Sequence, residues 1–216
     1  MTKTKKSRHK TEHEKSENAG NKEQLKNENK VLKTVMLVIG LIVLAFTAYM
    51  IFSYFTANFE YKGVKFSTVP DEWVGVLYNT KVPVVYNGTD VDYNFYLRKD
   101  PRTTTREVDF DGELVIKPLM VINTTGDLNC NGDGVIAGAN LLTLYKAIGT
   151  TAGKAPNATC DSLGRYVYVN IEESNETRII ETSPACYTIK VSECQILEAT
   201  ERYMIETFVE IKKITG

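Results

Sequence analysis

The chain has 216 residues, 26 Lys and Arg against 27 Asp and Glu, and a formal net charge of −1. That balance is divided: the first 33 residues hold ten basic and five acidic side chains, leaving sixteen and twenty-two for the remainder. The acidic excess of the larger part argues against a nucleic-acid partner. Both His precede residue 14, so that part also lacks the usual general base and zinc ligand.

Residues 1–30 contain only Met1, Ala19 and Leu25 as apolar side chains. Such a segment cannot bury enough surface to offset its ordering entropy, and composition predicts a disordered tail. Next comes Thr34 to Phe55, 22 positions without a charge. As a helix this covers roughly 33 Å, enough for a bilayer core of about 30 Å. A buried core helix of that length would carry a polar stripe, and here only Thr34, Thr47 and Ser53 are polar. A cleaved signal peptide would have a shorter apolar stretch and a small-residue cleavage site. The reading is an uncleaved anchor over 31–57, with the lipid bilayer as its partner. The basic tail places the N-terminus in the cytoplasm and the rest outside.

Cysteine usage agrees with that side. Cys130, Cys160, Cys186 and Cys194 all follow the anchor, and an even count outside the cytosol reads as two disulfides. The expected pairs are Cys130–Cys160 and Cys186–Cys194. A straight strand between Cys186 and Cys194 would hold them about 26 Å apart, which keeps Cys160 with Cys186 or Cys194 as an alternative. Four N-x-S/T sequons, at Asn87, Asn123, Asn157 and Asn175, lie in the same part and are candidate glycosylation sites.

The outer domain, 58–216, begins as β structure. Phe59–Val69 alternates apolar and polar side chains around Gly63, which reads as two strand pieces. Trp73–Tyr78 and Val82–Tyr86 are two further runs, separated by Asn79-Thr80-Lys81, and Pro83 confines the second to an edge or a strand start. Asn87-Gly88 then joins Val82–Tyr86 to the alternating Val91–Leu97 as a hairpin. Asp100-Pro101 reads as a turn flanked by Arg98, Lys99 and Arg102, either an anion site or a charged strand end. Strand character continues at Glu113–Ile116 and Leu119–Ile122. Arg165–Ile171 and Arg178–Thr182 form a second expected hairpin, Tyr187–Val191 another strand, and Gln195–Phe208 a helix with Ile196, Ala199 and Tyr203 on one face. The expected class is α+β: tail, transmembrane helix, then a β-rich extracytoplasmic domain with one or two short helices.

The segment 127–149 carries the most chemistry. With Asn129 as position 1, Asn131, Asp133 and Asn140 fall at positions 3, 5 and 12 of an EF-hand-type loop, with Gly134 at 6. Leu141, Leu144, Tyr145 and Ile148 then share a helix face. This resembles the loop-helix half of a dockerin repeat over about 22 residues, with Asn where that family prefers Asp at positions 1 and 12, and in one copy rather than two. One carboxylate means weak binding, so calcium is the only cofactor the spacing would admit, and none is otherwise indicated.

A wider pattern runs from FYLRKDPR (Phe95–Arg102), through one Cys before IAGANLLTLYKAIG, to ACYTIKVSECQILEATERY (Ala185–Tyr203). It resembles uncharacterised single-pass membrane proteins of small-genome archaea, with Lys99 where Asn is commoner. The resemblance implies architecture and a cell-surface location and no activity.

No phosphate loop, G-x-S-x-G or H-E-x-x-H occurs. Asp109, Asp111 and Glu113 gather three acids within five residues, a candidate carboxylate pair or cation site. The expected function is therefore non-enzymatic: an anchored binding or structural module with envelope proteins, surface proteins or glycans as partners. The alternative is a tethered carboxylate-dependent hydrolase such as a glycosidase, which needs two carboxyls about 5–9.5 Å apart.

Overall fold

The uncharged run is helical. The computed structural model describes residues 6–86, 88–155 and 158–215. Its first helix, α1, is Lys6–Ala57, and Asn29–Ala57 within it is long and apolar enough to cross a membrane by length and composition. The helix extends back to Lys6, where composition alone predicts a disordered tail. Lys, Glu, Gln, Ala and Leu are good helix formers, and an existing helix propagates at little cost per residue. The chain divides into two compact units, Met1–Thr56 and Ala57–Gly216, and the second holds the remaining structure.

That unit opens with a four-stranded antiparallel sheet, β1 (Asn58–Tyr61), β2 (Val64–Asp71), β3 (Gly75–Tyr86) and β4 (Thr89–Leu97), in that order. Lys62 and Gly63 both take positive φ, at 46° and 87°, the requirement of a two-residue hairpin turn. The two apolar runs expected on either side of Asn79-Thr80-Lys81 are one strand. Alternation sends Thr80 inward, where it is buried and donates to the Lys65 carbonyl at 2.9 Å. Pro83 lies beyond the last β3 residue paired to β2, Thr80. Its missing N–H therefore costs no ladder bond.

The second sheet has the order β5-β9-β10-β8-β6-β7, from β5 (Asp109–Asp111), β6 (Leu119–Thr125), β7 (Thr151–Lys154), β8 (Val167–Glu173), β9 (Arg178–Ser183) and β10 (Cys186–Val191). The expected hairpin between β8 and β9 is replaced. β10 lies between them, parallel to β8 and antiparallel to β9. Its burial explains the choice: Tyr187, Ile189 and Val191 are fully buried, which a central strand satisfies and an edge would not. Glu113–Ile116 is not a strand. The Tyr187 hydroxyl holds it instead, donating to the Glu113 carbonyl at 2.6 Å and accepting from the Val115 N–H at 3.0 Å.

Helices complete the unit. α2 (Pro101–Glu107) replaces the expected turn: Asp100 caps it by accepting from the Arg102 N–H, with Pro101 in the first helical position. α3 (Asp133–Ala147) crosses from β6 to the parallel β7. α4 (Ile196–Thr215) packs against β2 and β3 of one sheet, β9 and β10 of the other, and both α2 and α3. Phe66, Val82, Phe95 and Leu97 meet it from the first sheet, and Val169, Ile179, Tyr187 and Ile189 belong to the same core from the second.

The disulfides are Cys130–Cys194 and Cys160–Cys186. The expected pairs 130–160 and 186–194 are thus corrected, and Cys160–Cys186, weighed as an alternative, is present. β10 is straight and keeps Cys186 and Cys194 apart. Closing loops of 64 and 26 residues corresponds to about 4 and 3.5 kcal/mol in the loop-entropy account. Peptide mapping without reductant should join the Cys130 peptide to the Cys194 peptide and the Cys160 peptide to the Cys186 peptide. Removing the first bond by paired Cys→Ala changes should lower the unfolding free energy by about 2–4 kcal/mol.

Candidate functional site

The two motifs of the wider pattern meet in space. The Glu201 carboxylate on α4 accepts the N–H of Arg98 at 2.9 Å and that of Lys99 at 2.8 Å, one on each oxygen. Lys99 Nζ pairs with Glu198 at 2.7 Å. Arg102 pairs with Asp100 at 2.7 Å and stacks over the Phe59 ring at 4.4 Å. Arg98 lies close enough to Asp71 to help hold that carboxyl below its usual range, after the N–H groups of Val74 and Trp73. Lys99 and Arg102 of FYLRKDPR are thus paired within the domain, and the motif joins β4, α2 and α4.

At the next position of α4, Arg202 Nε donates to the Val108 carbonyl at 3.0 Å and Nη1 to Glu206 at 2.6 Å. Glu206 also receives Lys62 Nζ and the Tyr61 hydroxyl, each at 3.1 Å. Burial opposes the Glu206 charge, yet Arg202 and then Lys62 hold its carboxyl below the ordinary range. Beside this pair lie the fully buried rings of Tyr145, Tyr187 and Tyr203, with Tyr145 donating to the Tyr203 hydroxyl at 3.2 Å. Burial raises the Tyr145, Tyr187 and Tyr203 hydroxyls well above their usual range. These groups are core structure.

The EF-hand alignment meets a different geometry. α3 begins at Asp133, and Asn131 sits in a left-handed turn at φ 57°. Asn140 is seven helical residues beyond Asp133, roughly 10 Å along the axis, whereas an EF-hand loop curls all its ligands around one point. Gly134 is required for another reason: a Cβ there would stand 1.9 Å from the Leu128 carbonyl oxygen. Cys130 fixes this turn to Cys194. Among the described residues no three His, Cys, Asp or Glu side chains gather as a metal site.

The acidic turn is partly consumed as well. Asp111 lies 3.7 Å from Arg178, and Glu113 donates its N–H to Glu181 at 2.8 Å. Of the sequons, Asn175 is exposed in the turn between β8 and β9. Asn123 is half-buried on β6, its amide 3.4 Å from both the Tyr168 hydroxyl and Asn170 Oδ1. Asn87 and Asn157 lie outside the described residues.

One surface was not singled out from sequence. Parallel register aligns Asn123 with Asn170 and Thr188, and Thr125 with Glu172 and Lys190. These side chains stand on the face of the second sheet opposite its buried Val167, Val169, Ile171 and Ile189. Asn170 Nδ2 donates to Glu172 at 2.9 Å, and Lys190 pairs with Glu176 at 3.1 Å. Arg178 extends the row, with amino groups 3.7 and 3.9 Å from Asp111 and Glu176. Mostly parallel sheets are usually covered on both faces by apolar contacts. This face carries amides, hydroxyls, charges and Tyr168, and remains partly open to solvent. The alternation of Tyr168 and Asn170 with Val167, Val169 and Ile171 was its visible signal.

Comparison with models of known protein families, with curated proteins and with solved structures finds no match.

Two outcomes follow for α4. Arg202→Met should destabilise the domain by about 3–5 kcal/mol, because it removes the shortest of the Glu206 contacts and leaves only Lys62 and Tyr61 against that buried carboxylate. Burial pushes the Glu201 carboxyl up from 4.5 to about 7, against the pull of the Arg98 and Lys99 N–H groups. The folded state then holds this proton more tightly than the unfolded chain. Its contribution is full below about pH 4.5 and is lost as the pH rises through about 7. Unfolding measured across that range should show wild type losing up to about 3 kcal/mol relative to Glu201→Gln.

Proposed function

We propose that this protein is a single-pass, membrane-anchored cell-surface binding module, with its N-terminus in the cytoplasm and residues 58–216 outside. The observation that carries this reading is the placement of both disulfides in the unit that follows the apolar helix. Disulfides persist in oxidising compartments and are rare in the cytosol. The ten basic residues among the first 33 support the same orientation. The binding surface is the open polar face of the second sheet, and its ligand is an envelope glycan. Side-chain amides, hydroxyls and a partly exposed Tyr168 match sugar hydroxyls and sugar ring faces. The resemblance to archaeal single-pass proteins, carried by the FYLRKDPR and EATERY segments, supports the same location.

Protease added to intact cells should remove residues 58–216 and spare the tail; protection of the C-terminal unit would reverse the topology. With the full chain in phospholipid nanodiscs, Asn170→Ala and Tyr168→Ala should each reduce retention of purified envelope polysaccharide at least severalfold. Retention unchanged in both variants would remove this face as the ligand site.

A further inference from the structure

The chain's one Trp stands at the tip of the β2–β3 hairpin and is 93% exposed. Its neighbours Val74 and Val76 are 38% and 43% exposed. The tip is not loose. Asp71 Oδ1 accepts the N–H of Trp73 at 2.9 Å and of Val74 at 2.8 Å, and Gly75 closes the turn at φ 91°. An ordered hairpin thus presents an indole and two valines to the outside.

The register says where that tip lies along the chain. Asn58, the first residue after the apolar helix, is also the first residue of β1, and it pairs with Ser67. β2 continues past that level through Thr68, Val69, Pro70 and Asp71, whose partner is Gly75. At about 3.3 Å per residue the hairpin reaches roughly 13 Å beyond Asn58, opposite to the direction in which β1 leaves it. From Phe55, the last large apolar side chain of the helix, to Asn58 is three residues, about 5 Å of helix. The reach of the tip exceeds that separation more than twofold.

From this register we propose that Trp73, with Val74 and Val76, is a second membrane contact, seated among the lipid headgroups beside the anchor. The inference rests on reading Asn29–Ala57 as a membrane span. Indole suits that layer, having an apolar ring and one N–H that stays hydrated. Asp71 spends its carboxylate on the turn's own N–H groups, and Glu72 remains at the polar rim. Two attachment points would restrict rotation of the domain about its anchor.

Because Trp73 is the single Trp, its fluorescence reports on the tip alone. The test uses the full chain reconstituted in phosphatidylcholine vesicles, with and without lipids brominated in the upper acyl chain. The expected result is emission shifted to the blue, quenched severalfold by the brominated lipid and little by aqueous iodide. A Trp73→Phe, Tyr93→Trp double variant moves the probe to the level of Val82, seven residues along β3 from Gly75 and about 23 Å away. That probe should respond to iodide and not to brominated lipid. Quenching of Trp73 by iodide alone would overturn the proposal. Protection from both quenchers would also overturn it, because a protein surface would then cover the tip. Equal lipid quenching at both positions would overturn a contact specific to the tip. Flotation of the vesicles separates the two readings: protein that floats with Trp73 unquenched keeps its anchor and refutes the second contact, whereas protein left behind refutes both.

Discussion

The structure depends on one awkward element. α4 is buried on nearly all sides, with fourteen of its twenty residues inside, yet it carries Glu201, Arg202 and Glu206 among them. A helix surrounded on all sides is normally apolar, and an unpaired buried charge costs several kcal/mol. Each of these three charges therefore dictates what must stand opposite it. Glu201 needs two N–H donors and receives them where β4 turns into α2. Arg202 needs acceptors and takes the Val108 carbonyl and Glu206. Glu206 in turn calls on Lys62 and Tyr61 from the first hairpin. The contacts that neutralise α4 are the same ones that attach the first sheet and α2 to it.

The second sheet is attached by other means. Its inner face is almost wholly apolar and meets α3 and α4 through aliphatic and tyrosine packing. The disulfides then act at its margins. One ties the turn before α3 to the residue just ahead of α4, and the other ties the long connection after β7 to the start of β10. Polar contacts thus specify one side of α4, while area and covalent closure stabilise the other. Hydrophobic burial is largely indifferent to direction and hydrogen bonds are not, so the first side fixes how the helix is rotated.

Much of the local structure was legible in the sequence. Alternation placed β1, β2, β4, β8, β9 and β10 near their observed positions, because strand period survives in half-buried sheets. The apolar length of α1 and the amphipathic core of α3 were equally plain. What failed was pairing. Nothing between Arg165 and Val191 states that β10 enters between β8 and β9, since strands adjacent in sequence are the commoner neighbours. The Cys partners failed for the same reason, being set by that insertion. α2 was missed although Asp100 followed by Pro101 is a helix-start signal; seven residues are too few for periodicity to show. The 129–140 segment reads two ways because Asn, Asp and Gly serve tight turns and cation loops alike. Of the open polar face only the alternation within β8 was legible, because the face itself exists only once β6, β8 and β10 lie side by side.

The position of α4 along the chain also constrains how the molecule is made. Both sheets close on a segment that is synthesised after every strand. Until residues 196–215 have emerged, Phe66, Val82, Phe95 and Leu97 lack the helix that covers them, and until Cys194 has emerged Cys130 has only Cys160 and Cys186 to pair with. Folding of this unit must then wait for the whole of it to be synthesised, and thiol pairing passes through an interval when Cys130 has only wrong partners available. A thiol-disulfide exchange activity would correct such pairs, and a chain cut short within α4 would leave those apolar faces uncovered, an adhesive substrate for proteolysis.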